Sequence, residues 1–188
     1  AIGGNASAVA NGTVSLGANT ISTGNGSIAI GQGAEASYSN YGTDIEEASI
    51  AIGRNTRSMT STVAIGDGAI AWFRNSIAIG KGAHSHAENA TSIGMKANAS
   101  AQSVAVGAGA KAGYTEILSG GYSTSNMDAV AIGYDANASL SAGTAVGKGT
   151  VTGVMGAALG FHAKAEGNLS VAAGSLANAS NFSALAIG

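Results

Sequence analysis

The sequence predicts an all-β fold, a solenoid of about fourteen short two-strand coils, on three observations. A short phrase, Ser27-Ile28-Ala29-Ile30-Gly31, returns whole or degenerate along the chain, its glycine falling at 3, 17, 31, 53, 66, 80, 94, 107, 120, 133, 147, 160, 174 and 188. Successive glycines lie roughly 13 to 14 residues apart, with one longer interval from Gly31 to Gly53, a period too short for paired helices and suited to two short strands with turns. Within each phrase aliphatic residues alternate with a small one, the period of two that marks a strand.

The first strand of each coil is seen in Ile50-Ala51-Ile52, Val63-Ala64-Ile65, Val104-Ala105-Val106 and Val130-Ala131-Ile132. Its central residue is Ala in eleven of fourteen copies, the others being Ser15, Ser92 and Leu118, so both faces of this strand read as protected. After the glycine and one variable residue comes Gly, Asn or Asp in nine of thirteen copies, among them Asn5, Gly33, Asn55, Gly82 and Asp135. These types tolerate the left-handed conformation of a tight turn. A second strand follows, as in Ala34-Glu35-Ala36, Ala97-Asn98-Ala99 and Ala163-Lys164-Ala165, with Ala, Ser or Thr at both outer positions and a freely varying middle. That pattern predicts two side chains pointing in and one pointing to solvent. The expected coil sets Ile or Val of the first strand against Ala of the second across a narrow interior. The row of Ala on the other face of the first strand then needs a partner surface, which a second copy of the chain supplies most simply. A homo-oligomer with poorly stable monomers is expected.

Composition narrows the function classes. Charged residues are 10% of the chain, against roughly 25% in ordinary domains, and the net charge of −2 with eight scattered Lys and Arg excludes the basic face that nucleic acid requires. There is no cysteine for disulfides or thiolate metal sites. Apolar runs are far shorter than the roughly 20 residues of a spanning helix, so no membrane contact is expected of this chain. Ala1-Ile2-Gly3 and Ala186-Ile187-Gly188 fall at the same repeat phase, which predicts a single domain over 1–188 cut from a longer protein.

The in-phase Ser-Val/Ile-Ala-Ile/Val-Gly core, with its leading Asn in Asn75-Ser76-Ile77-Ala78-Ile79-Gly80, resembles the head repeats of YadA-like trimeric autotransporter adhesins. The resemblance covers essentially the whole chain. It implies a left-handed parallel β-roll, a homotrimer, and display on the bacterial cell surface through stalk and outer-membrane anchor regions that this chain lacks. It also implies adhesion, without catalysis or a cofactor, to host extracellular-matrix proteins (fibronectin, collagen, laminin) or host-cell receptors. For collagen it implicates the repeat phrase itself, which makes Asn75 and Ser76 candidates although the same residues are accounted for as core.

Departures from the repeat supply the other ligand-binding candidates. The long interval between Gly31 and Gly53 inserts a loop at 37–48 that carries Tyr38, Asn40, Tyr41, Asp44, Glu46 and Glu47, and tyrosines beside carboxylates suit a protein partner. A packing role against a neighbouring chain is the competing reading. Trp72, Phe73 and Arg74 bring the only Trp of the chain into a turn, as a binding hot spot or as a plug between subunits. His84, His86 and Glu88 have donor types suited to zinc, but His84 sits at the solvent position and a third ligand is not evident, so no metal is expected. A trimeric β-helix acyltransferase would repeat hexapeptides in longer coils, which this period does not match, and no catalytic residue stands out. A structural spacer or self-association module is the remaining alternative.

Overall fold

In the computed structural model, which describes residues 1–36, 48–113 and 127–188, every regular element is a parallel β-strand. The chain divides into two compact units, Ala1–Asn89 and Ala90–Gly188. In the first, the long strands Val14–Leu16, Ile28–Ile30, Ile50–Ile52, Val63–Ile65 and Ile77–Ile79 pair in register, in that order. The short strands Ser7–Ala8, Ile21–Ser22, Glu35–Ala36, Arg57–Ser58, Ile70–Ala71 and His84–Ser85 form a second sheet in the same way. The second unit repeats this with long strands from Thr91–Ile93 to Leu185–Ile187 and short strands from Asn98–Ala99 to Lys164–Ala165.

Each unit is thus a parallel β-solenoid, and the described residues hold about eleven turns in all, where the glycine count predicted fourteen. At the start, Ile2 makes only an isolated bridge to Leu16, and near the end Asn178 makes only one to Lys164. The copy at Ile117-Leu118-Ser119-Gly120 lies outside the described residues. Val104–Val106 pairs directly with Val130–Ile132, so no rung separates them, and the stretch from Gly107 to Gly133 holds one coil and an insertion. Ile28–Ile30 likewise pairs directly with Ile50–Ile52 across the long interval between Gly31 and Gly53.

Each corner follows from the glycine. Gly66 has φ +131 and its carbonyl accepts from Ala69 N–H at 3.2 Å, with Gly68 left-handed at φ +66 in between. A Cβ on Gly66 would lie 2.5 Å from the Gly80 carbonyl oxygen of the next coil, so the phrase can end only in a residue without a side chain. In other coils Asn5, Asn19, Asn55 and Asp135 occupy the place of Gly68, all at positive φ.

The interior corrects the expected packing. Ala29, Ala51, Ala64 and Ala78, the centres of their long strands, are fully buried together with the outer positions of the short strands, such as Ala34, Ala36, Ala69 and Ala71. Ile and Val face outward: Val14 and Leu16 are 44% and 43% exposed, Ile132 and Leu159 are 41% and 44%. Face-to-face sheets usually stand about 10 Å apart and fill the gap with large side chains. Here a short coil with tight corners admits only Ala, Ser and Thr from both sides. The face that lacks a partner is therefore the aliphatic one, not the row of alanines.

Several buried hydroxyls are paired with the main chain they would otherwise disrupt. Thr20, Thr56 and Thr150 donate to the carbonyls of Gly17, Gly53 and Gly147 at 3.0, 2.9 and 3.1 Å. Ser27 Oγ accepts the Ser49 N–H at 3.0 Å and Ser103 Oγ accepts the Ala129 N–H at 3.2 Å. Both bonds reach across an insertion, so a serine in the coil before takes the main-chain donor where the regular ladder resumes.

Candidate functional site

A solenoid of this kind offers a partner three surfaces: the outward face of the long-strand sheet, the outward face of the short-strand sheet, and the corners. On the long-strand sheet of the first unit, two unbroken aliphatic rows run across the strands. Ile28, Ile50, Val63 and Ile77 form one and Ile30, Ile52, Ile65 and Ile79 the other, each in register with the next. The second unit continues the pattern within its own strands with Val104, Val130, Val106 and Ile132.

The short-strand sheet presents its middle column instead. Glu35 and Arg57 are register partners on adjacent strands, and their side chains pair at 3.2 Å. At the neighbouring corner the Arg54 guanidinium makes a two-pronged contact with Asp67, Nη2 to Oδ2 at 2.6 Å and Nε to Oδ1 at 3.1 Å. The hydrogen bond and charge of Arg54 hold the Asp67 carboxyl below its usual range. Both pairs are solvent-exposed, so they orient side chains and add little stability.

Trp72, Phe73 and Arg74 are half-buried at the corner that follows the short strand Ile70–Ala71. Trp72 N–H donates to the Ser85 carbonyl at 3.1 Å, as Met59 N–H donates to Ala71 one coil earlier. Met59, Trp72 and His86 therefore occupy the same place in three successive coils. Burial pushes the His86 imidazole down to about 4, helped by His84, whose ring centroid is 5.4 Å away and whose own value burial also lowers. Asn75 is exposed and left-handed, its amide donating to Asn89 Oδ1 at 3.4 Å. Ser76 is 1% exposed and its Oγ has no hydrogen-bond partner. Of these five candidates the corner brings Trp72, Phe73, Arg74 and Asn75 toward solvent and turns Ser76 into the interior. Tyr38, Asn40, Tyr41, Asp44, Glu46 and Glu47 lie outside the described residues.

Sequence reasoning missed one cluster in the second unit. Tyr134 and Phe161, both exposed, flank Lys148, whose Nζ lies 5.8 Å and 5.6 Å from their ring centroids, a cation–π arrangement. All three directly follow a repeat glycine, and aromatic residues at a place that holds none in the other coils were the available signal. Among the described residues no three His, Cys, Asp or Glu side chains converge to hold a metal ion, and no helix is long and apolar enough to cross a membrane.

The sequence profile of the YadA head domain repeat matches residues 22–56, 58–83, 74–97 and 125–150. No curated protein matches the chain. Head domains of this kind occur in surface-exposed trimeric autotransporter adhesins, a family without enzymatic activity. The matched segments cover more than half of the chain and coincide with rungs that the structure stacks in register, and by that agreement the chain belongs to the YadA head domain repeat family.

Proposed function

We propose that this chain is the head of a homotrimeric bacterial adhesin that attaches the cell surface to host extracellular-matrix proteins (fibronectin, collagen, laminin) or host-cell receptors, without catalysis. One observation carries the reading: two rows of Ile and Val on the outward face of the long-strand sheet are only half-buried in the single chain. A buried aliphatic side chain contributes about 1.5 to 3 kcal/mol, so leaving such rows in water forfeits much of what a core of alanines cannot supply. Three left-handed rolls that turn these sheets toward a common axis bury them. The short-strand faces and the corners then remain outside, where Trp72, Phe73, Arg74 and Asn75 are available to a ligand, and the insertion at 37–48 is the second candidate contact. Stalk and outer-membrane anchor would be supplied by other parts of the protein.

Solid-phase binding to immobilised fibronectin, collagen and laminin tests the adhesive half. The chain should bind at least one of them saturably, and deletion of residues 38–47 or Trp72→Ala should weaken that binding while circular dichroism stays unchanged. Absence of binding to all three and to host cells overturns adhesion. Full binding by both variants overturns the site assignment alone.

A further inference from the structure

The outward face of the short-strand sheet in the first unit holds a groove of about 580 Å³, which crosses four successive coils. Its size lies within the range of ligand sites, roughly 300 to 1,000 Å³. Ile21 and Ile70 stand at its two ends, three coil steps or about 14 Å apart by strand spacing, and the Glu35–Arg57 pair lies between them. Asn19, Gln32 and Asn55 contribute primary amides from the corner. Two glycines open it. A Cβ on Gly33 would meet Asn55 Oδ1 at 2.6 Å, so the bare backbone there leaves the amide its place, and Gly68 has nothing within 4 Å of where its Cβ would be.

From this lining we infer that the groove is a binding site for a short neutral oligosaccharide. Its one carboxylate and one guanidinium cancel, which gives no attraction to a sulfated or sialylated chain. Each primary amide offers donors and acceptors together, as Arg57 and Glu35 do as a pair, and adjacent hydroxyls on a pyranose ring need that combination. Ile21 and Ile70 suit the apolar C–H faces of the first and last sugar. A peptide would need main-chain partners, and the floor is a sheet face whose strands already pair with both neighbours, so strand addition is closed to it. The inference requires the fold alone and neither the trimer nor any matrix protein, although in the proposed assembly the groove stays on the uncovered side.

Saturation-transfer NMR on the whole chain with maltotriose, cellotriose and triacetylchitotriose, each against its sulfated counterpart, provides the test. At least one neutral trisaccharide should show transfer that titrates to a Kd in the millimolar range or tighter. Ile70→Arg, a side chain type native to this column at position 57, and Glu35→Ala should each weaken it about fivefold or more. Lys111→Ala, at the same strand position in the other unit, should leave it unchanged. Silence from all three neutral sugars, preference for the sulfated forms, or undiminished binding by Ile70→Arg overturns the site. Because free sugars are the probe, that outcome is separable from a failure to bind matrix proteins.

Discussion

At the scale of single residues, two neighbouring glycines do different jobs. Gly66 combines φ +131 with a carbonyl oxygen 2.5 Å from where a Cβ would sit, whereas Gly68 combines φ +66 with open space. Gly66→Ala should therefore cost at least about 3 kcal/mol or prevent folding, since both backbone and the next coil resist it. Gly68→Ala meets only the left-handed penalty, offset in part by a stiffer unfolded chain, for a net cost of about 1 kcal/mol. Urea melts of the two variants check the contrast, and equal losses would refute it. His86 gives a second test. Its folded imidazole titrates near 4 while the unfolded one titrates near its ordinary value, about 6.5, so the unfolded state takes up the proton first. Stability should be complete above about pH 6.5, fall as pH drops toward 4 and level off below, by about 2 kcal/mol after allowing for solvent at the ring edge. Trp72, one coil away at the same place, should report the His86 protonation as fluorescence quenching with a midpoint near 4, and a midpoint near 6.5 would contradict the burial.

At the scale of strands and turns, three serines at one place in the coil separate hydrogen bonding from burial. Ser103 holds the Ala129 N–H across an insertion, while Ser76 is buried with an unmatched hydroxyl. Ser103→Ala should cost about 1 to 3 kcal/mol by leaving that donor unsatisfied, and Ser27→Ala should act likewise through Ser49. Ser76→Ala should be neutral or stabilising by up to about 1 kcal/mol, because it removes an unpaired group. Thermal melts that rank Ser76→Ala with the other two would discount the role of the clamp. These serines also mark what was legible in the sequence. Strand, turn and period followed from the glycine spacing, and the inward and outward places of the short strand from its Ala-x-Ala pattern. Two things did not follow. The interval between Gly107 and Gly133 equals two periods, so an insertion of coil length passes for a coil; only Leu118, at a place held by Ala or Ser in every described coil, pointed the other way. Alternation likewise reveals that a strand has two faces without saying which is inside, and here the volume between the sheets decides it for alanine. At the site, the aromatic corner at Trp72 stood out in composition and lies half-buried in the structure, whereas the groove had no signal in the sequence, because its residues come from four coils and share no motif.

At the scale of the whole molecule, an interior of alanines makes association part of folding. Each coil buries small side chains within the roll and leaves the residues flanking the centre of its long strand outside, so the aliphatic rows form a continuous apolar surface that association can remove from water. Equilibrium sedimentation of the wild type should give a trimer. Replacing Ile52 and Ile65, adjacent in one row, with Asp places two charges per chain in the proposed seam, and desolvating them costs several kcal/mol per ion. That double variant should sediment as a monomer with reduced thermal stability. Ile70→Asp, which puts the same charge on the outward face of the short-strand sheet, should remain trimeric with a melting temperature close to the wild type. A stable folded wild-type monomer, or a trimer that survives the double substitution, would move the seam away from the aliphatic rows and leave their exposure to be explained by a different partner.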